Sequence, residues 1–152
     1  MGNSNTILEI MLRDHALIEV LLVVFKDNLG KDIKSVEESF DKFRWELEKH
    51  IFVEEKVIFK LCDSPESEMC EIVKGLTKDH NTMLEMLNEV QNDLVTKNET
   101  DISKFQELLT NHRKIEEKTL YPKLDQILDK EQKKIIIARI NEIPLKKGAD
   151  TI

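Results

Sequence analysis

The sequence predicts an all-α protein: an up-down-up-down four-helix bundle followed by a short fifth C-terminal helix. Glycine and proline are scarce, at four and three of 152 residues, and charged residues make up 35% of the chain, a composition typical of helical proteins. Apolar residues recur at steps of three and four along most of the chain, which is the repeat of an amphipathic helix. Four long helices joined by short turns most simply form an antiparallel bundle.

The first half of the chain predicts two helices. The first covers about 7–25, and the chain then reaches Gly30, which can adopt the left-handed conformation that ends a helix. The second runs over about 33–61 and, at 1.5 Å per residue, is roughly 40 Å long. It ends where Asp63, Ser64 and Pro65 interrupt the apolar repeat.

The second half predicts three more helices. The third begins with Ser64 as N-cap and Pro65 as its first residue. The fourth runs from about 102 to 128, with a kink at Pro122, which lacks a backbone donor. A fifth helix over about 130–143, capped by Asp129, should pack its apolar stripe on the outside of the bundle. Residues 1–152 are thus predicted to be a single domain, with the bundle over about 7–128 and a loose tail over 145–152.

The composition also bears on partners and location. The net charge is −7 with a pI near 5.2, and the basic residues are scattered among acids, which argues against nucleic-acid binding. No run of about 18 apolar residues exists and the start is polar, so we expect no membrane contact, no secretory signal and a cytoplasmic location. The cysteines Cys62 and Cys70 are too few for a disulfide framework, so we expect free thiols, with a redox pair as the alternative.

The sequence contains a repeat. HIFVEEK at 50–56 matches HRKIEEK at 112–118, 62 residues later, and the Asp-His pair at 14–15 matches the pair at 79–80, 65 residues later. We interpret the first two helices and the next two as copies of one helical hairpin, related by a local twofold axis. Such a pair forms one domain rather than a repeat array.

Polar residues interrupt the apolar faces of all four long helices. Counting from the helix ends places three histidines within one turn of the same level, and the fourth joins them if the third helix ends near Leu94. Buried carboxylates cost several kcal/mol unless they are paired or bind a metal, so this layer predicts a metal site. The six residues of the layer are His15, His50, Glu54, His80, His112 and Glu116.

Other interpretations of this layer stay open. A single buried histidine is more often a hydrogen-bonded core residue, so a plain bundle with a structural polar layer is the alternative. Six groups exceed one tetrahedral zinc site, and two metals that share the carboxylates fit better, with iron, manganese or zinc as candidates. Glu55 and Glu117 are expected to face solvent or to support ligands. Asp14 and Asp79 could orient a neighbouring side chain or cap a helix, and they are not counted among the site residues.

On these motifs the chain resembles hemerythrin-like (HHE cation-binding) domains, through DH at 14 and 79, HIFVEE at 50 and HRKIEEKTLYP at 112. The resemblance covers about 8–128 and implies two iron ions in an oxo- or hydroxo-bridged non-haem centre inside a four-helix bundle. Many members have a further histidine where this sequence has Leu84, which leaves a more open coordination that Glu19 or Glu85 could fill. The resemblance implies as metal ligands His15, His50, Glu54, His80, His112 and Glu116.

From the resemblance we expect a di-iron protein that binds oxygen or a related small ligand, such as peroxide or nitric oxide, for sensing, storage or detoxification. One alternative is an enzyme that acts on peroxide or nitric oxide, or an iron donor for iron–sulfur cluster repair. Another is an iron-responsive interaction module. The ligand pocket is expected to be lined by Leu22, Ile58, Leu84 and Leu87, and the sequence does not identify a protein partner.

Overall fold

The computed structural model describes residues 6–62, 64, 66–97 and 99–142, and it confirms the all-α bundle. The helices are α1 (Ile7–Asn28), α2 (Ile33–Val53), α3 (Glu68–Thr96), α4 (Ser103–Ile115), α5 (Tyr121–Ile127) and α6 (Lys130–Glu142). Helix α1 packs on α2, α2 lies beside α3, and α3 packs on α4, which gives the predicted up-down-up-down order. Within the described ranges no strand is present.

The start of α1 is held from both sides. The Thr6 side chain accepts a hydrogen bond from the backbone N–H of Glu9, as expected of an N-cap. The Asp125 carboxylate of α5 accepts from the backbone N–H groups of Ile7 and Leu8, at 2.7 and 3.1 Å. A helix N-terminus favours a negative charge, so Asp125 fixes α1 against α5.

The connection between α2 and α3 differs from the prediction. Helix α3 begins after Ser67, whose hydroxyl accepts from the backbone N–H of Cys70 at 3.1 Å, so the choice of Ser64 as N-cap was wrong. Pro65, the predicted first residue of this helix, lies outside the described residues. The turn brings Cys62 and Cys70 together, with Cα atoms 5.2 Å apart, and a disulfide joins them. The expectation of free thiols was therefore wrong.

Two π-helical turns extend α2 and α4, at Glu54–Ile58 and Glu116–Leu120. In each turn a backbone N–H bonds to the carbonyl five residues earlier, which inserts one residue into the helical repeat. After the first turn the chain makes one 3₁₀ turn, Phe59–Leu61, and after the second it continues as α5. A kink was predicted at Pro122, but the irregular turn precedes Pro122, and its counterpart in the first half contains no proline.

Helix α3 continues to Thr96, so the predicted end near Leu94 was two residues too early. The connection to α4 turns back along the last turn of α3, where the Thr100 hydroxyl donates to Asp93 at 3.2 Å. Helix α4 then starts at Ser103. This return brings the histidine of α4 into the predicted layer without a shorter α3.

Helix α6 lies against α1 and the first π turn, as predicted for an outer helix. The Asp129 carboxylate accepts from the backbone N–H of Gln132 at 2.8 Å and caps the helix, and Ile136 is buried in the core. Ile143 and the predicted loose tail at 145–152 lie outside the described residues. In the part of the chain that the structure describes, no helix is both long and apolar enough to cross a bilayer.

The core consists of two apolar clusters with a polar layer between them. On α1, Met11 belongs to one cluster and Ile18 to the other, and His15 lies between the two. The first cluster includes the aromatic residues Phe25, Phe40, Phe43 and Phe105. The second includes Val57, Leu76, Leu120, Tyr121 and Leu124. The polar layer is therefore closed off from solvent by apolar packing above and below.

Candidate metal centre

The structure brings all six predicted residues together in the polar layer, and all six are buried. They form two groups that share both glutamates. Within each group, potential ligand atoms lie within 4.8 Å of one another. The first group is His15, His50, Glu54 and Glu116, and the second is Glu54, His80, His112 and Glu116.

Each glutamate lies between one histidine of each group. Glu54 Oε1 is 3.6 Å from His50 Nε2 and 3.0 Å from His80 Nε2. Glu116 Oε1 is 3.2 Å from His15 Nε2, and its Oε2 is 2.9 Å from His112 Nε2. Both glutamates begin a π turn, a feature that frequently occurs at functional sites. Each carboxylate therefore contacts histidines of both groups.

A second set of carboxylates, which we call the outer carboxylate ring, surrounds the histidines. Each histidine faces one of them through Nδ1, and each contact joins neighbouring helices of the bundle. Because Nδ1 is occupied, the Nε2 atom of every ring is left to face the centre. The contacts are Asp14 to His50 at 2.6 Å, Glu55 to His80 at 2.8 Å, Asp79 to His112 at 3.0 Å and Glu117 to His15 at 2.7 Å.

Only two residues of the outer carboxylate ring, Glu55 and Glu117, were predicted as candidate supports for ligands. Glu55 and Glu117 were expected to face solvent or to support ligands, and the structure selects the second role. Asp14 and Asp79 were not counted, although they hold histidines in the same way. The sequence repeat contained the signal for the whole ring, since each half has one Asp-His pair and one Glu-Glu pair of the repeat.

Several buried polar atoms of the centre have no hydrogen-bond partner: His50 Nε2, His112 Nε2 and both carboxylate oxygens of Glu116. His112 Nε2 approaches Glu116 Oε2 closely, but the two atoms are not aligned as in a hydrogen bond. Such atoms are costly to bury, and cations at the two positions would satisfy them. Imidazole and carboxylate are donors that suit iron, manganese and zinc, so the residues fit a pair of metal ions.

Neighbouring charges within the centre shift the pKa values of His50, His112 and Glu54. Burial lowers the pKa of His50, but the Glu54 charge and the Asp14 hydrogen bond outweigh it and raise this pKa to about 9. Burial also opposes the charge on His112, yet its interactions with the carboxylates of Glu116 and Glu54 raise its pKa to about 10. The pKa of Glu54, which burial alone would raise, is held well below its usual value mainly by the His50 charge. A metal must therefore displace protons to bind.

Two aromatic residues at repeat-equivalent positions make the halves of the centre different. The Tyr121 hydroxyl donates to Glu54 and lies 3.4 Å from His15 Nε2. Burial and the charges of Glu116 and Glu54 raise the pKa of Tyr121 well above its usual value, so the hydroxyl stays a neutral donor. Its counterpart Phe59 stacks on His80, with ring centroids 5.3 Å apart and an interplanar angle of 11°.

A cavity of about 20 Å³ adjoins the centre, enough for one water-sized ligand. The predicted lining was wrong, because the cavity is lined by the four histidines and by none of Leu22, Ile58, Leu84 and Leu87. Its apolar lining is Ile18, Leu47, Ile51, Met83 and Leu109, and Arg113 also lines it.

Neither glutamate considered as an extra ligand belongs to the two groups. Glu19 is exposed and accepts a hydrogen bond from Arg113 at 2.7 Å. Glu85 is exposed on the surface of α3. Neither side chain therefore replaces the ligand that a histidine in place of Leu84 would supply.

The bundle and its buried histidine–glutamate layer define a helical metal-binding protein. Among known protein families, residues 6–124 match the one described as the hemerythrin HHE cation binding domain. The chain therefore belongs to the hemerythrin HHE cation-binding family. Comparison with curated proteins found no match, and comparison with solved structures found none either.

Proposed function

We propose that this chain binds two iron ions in its polar layer and takes up oxygen or a related small ligand, such as peroxide or nitric oxide, for sensing, storage or detoxification. His15 and His50 would hold one ion and His80 and His112 the other. Glu54 and Glu116 would bridge the two. The observation that carries the proposal is that two groups of ligand atoms share both glutamates.

The protein side of this chemistry follows from the contacts described above. Bound iron would supply a redox-active Lewis acid with coordination positions left open for a small ligand. The outer carboxylate ring holds each imidazole with Nε2 directed at the centre. The Tyr121 hydroxyl fixes one oxygen of Glu54, and the apolar lining around Ile18 and Met83 keeps bulk water out.

The test is to purify the chain without oxygen, load it with ferrous iron, and measure iron content and visible absorption before and after adding oxygen, peroxide or nitric oxide. We expect two iron ions per chain and a change of absorption with at least one ligand. Glu54→Ala should lose both ions because both groups contain Glu54, whereas His112→Ala should lose one. Glu85→Ala, on the exposed surface, is the matched control. Trace iron in the loaded protein would refute the proposal.

A second candidate, an enzyme that acts on peroxide or nitric oxide, is favoured by one observation. Each group offers four protein residues, fewer than the six positions of an octahedral ion, and Leu84 adds no ligand. Multiple turnovers of either substrate, lost in a His112→Ala variant that keeps its helical content, would support the enzyme. A single stoichiometric binding event would favour the binding protein.

A further inference from the structure

Arg113 lies where the cavity, the outer carboxylate ring and solvent meet. It follows His112 on α4 and lines the cavity beside the centre. Its Nη1 donates to Glu19 Oε2 at 2.7 Å, and its Nε is 3.9 Å from Glu117 Oε2. The side chain is 24% exposed, so its guanidinium can contact both the cavity and the surface.

The negative charges around the cavity suggest a role for the positive charge of Arg113. Two buried glutamates and the four carboxylates of the outer ring surround the histidines. These carboxylates oppose the approach of a small anion to the centre, and a cation beside the cavity offsets this repulsion. Among the described residues that line the cavity, Arg113 alone carries a permanent positive charge. Its planar fork of N–H donors suits small anions.

We propose that Arg113 selects small monoanions, such as hydroperoxide or azide, over neutral ligands of similar size. In this proposal Glu19 is a latch that holds the guanidinium at the surface while the cavity is empty. The inference rests on the proposed function, because the anion would be held at the metal centre. A cavity of about 20 Å³ restricts the ligand to very few atoms and excludes bulky anions such as phosphate.

The contacts of Arg113 allow such an exchange. Glu19 is 57% exposed, and ion pairs in such positions contribute little net free energy because water and salt screen them. The contact with Glu117 is too long for a hydrogen bond, whereas Glu117 itself holds His15 at 2.7 Å. The guanidinium can therefore leave Glu19 for a ligand without removing the partner of His15.

The test uses the iron-loaded full chain and two probes, azide with oxidised protein and nitric oxide with reduced protein. Dissociation constants are measured by absorption titration for the wild type, Arg113→Leu, Arg113→Lys and Glu19→Gln. We expect Arg113→Leu to weaken azide binding roughly tenfold or more while nitric oxide binding stays unchanged. Arg113→Lys should keep most of the azide affinity, and Glu19→Gln should tighten azide binding because it frees the guanidinium.

Two control variants remove an arginine and a glutamate of another ion pair, which does not line the cavity. Arg44 on α2 is 19% exposed and pairs with Glu48, which is 44% exposed, so Arg44→Leu and Glu48→Gln should leave azide binding unchanged. Iron content and melting temperature show whether each variant keeps its centre.

Two results would overturn the selection. One is equal azide binding by Arg113→Leu and wild type. The other is an equal loss of azide and nitric oxide in Arg113→Leu together with no gain in Glu19→Gln, which would mean a merely structural role. In either case two iron ions in the wild type would leave the proposed function standing. A wild type that binds no iron would remove both.

Discussion

Replacing Asp14 with asparagine tests whether the outer carboxylate ring supports metal binding. Asp14 Oδ2 lies 2.6 Å from His50 Nδ1, and no side chain of the first ligand group is itself changed. Loss of a carboxylate behind a metal-binding histidine typically weakens metal affinity about 10–100-fold. This corresponds to about 1.4–2.7 kcal/mol of binding free energy.

The loss should also appear in thermal stability. For a protein of about this size, 1 kcal/mol shifts the melting temperature by about 2–4 °C, so the iron-loaded Asp14→Asn variant should melt about 3–11 °C lower than wild type. Iron affinity is measured by competition with a chelator. Asp79, the repeat-equivalent residue, lies 3.0 Å from His112 Nδ1 and should give a similar loss when changed to asparagine.

Asp41→Asn, an exposed position on α2, provides the control and should bind iron like wild type. The reasoning fails if Asp14→Asn and Asp79→Asn both hold iron as tightly as this control. It also fails if Asp14→Asn lowers the melting temperature of the metal-free protein as much as that of the iron-loaded protein. The ring would then contribute to folding and not to metal binding.

Three further predictions concern the metal-free chain. Tyr121→Phe removes the buried donor to Glu54 and should lower the free energy of unfolding by about 1–3 kcal/mol, seen as a lower urea midpoint. The raised pKa values of His50 and His112, about 9 and 10 against 6.5, stabilise the fold fully below pH 6.5 and lose this effect as the pH rises through 9 and 10, so the urea midpoint should fall over that window. Changing Cys62 and Cys70 to serine opens a loop with a sequence separation of 8 and should cost roughly 2 kcal/mol, an effect that a reductant reproduces in wild type.

The helical repeat was sufficient to predict the bundle and the convergence of six residues. His50 and Glu54 are four residues apart, as are His112 and Glu116, so each pair lies on one face of its helix. A face that is otherwise apolar must point into the core, and four such faces can meet only in the middle of a bundle. These arguments need no knowledge of side-chain contacts.

The features that the sequence did not predict depend on contacts between helices. The Glu-Glu-Lys segment is an ordinary helical sequence. Nothing in it indicates the hydrogen bond of a π turn, in which a backbone N–H bonds to the carbonyl five residues earlier. The contacts of the outer carboxylate ring depend on how each helix is oriented about its own axis relative to its neighbour, which the sequence does not specify. Pairing of Cys62 with Cys70 depends on the path of a turn that brings their Cα atoms to 5.2 Å, which spacing alone does not fix.

The clamp of Asp125 on the start of α1 sets an order of events during synthesis. Ile7 is synthesised 118 residues before Asp125, whose carboxylate binds its N–H. His15 is synthesised 102 residues before its partner Glu117. At about 5–20 residues per second, the first of these intervals is roughly 6–24 s. The start of the first helix therefore has no clamp for that time, and iron can be enclosed only after nearly all of the bundle has been translated.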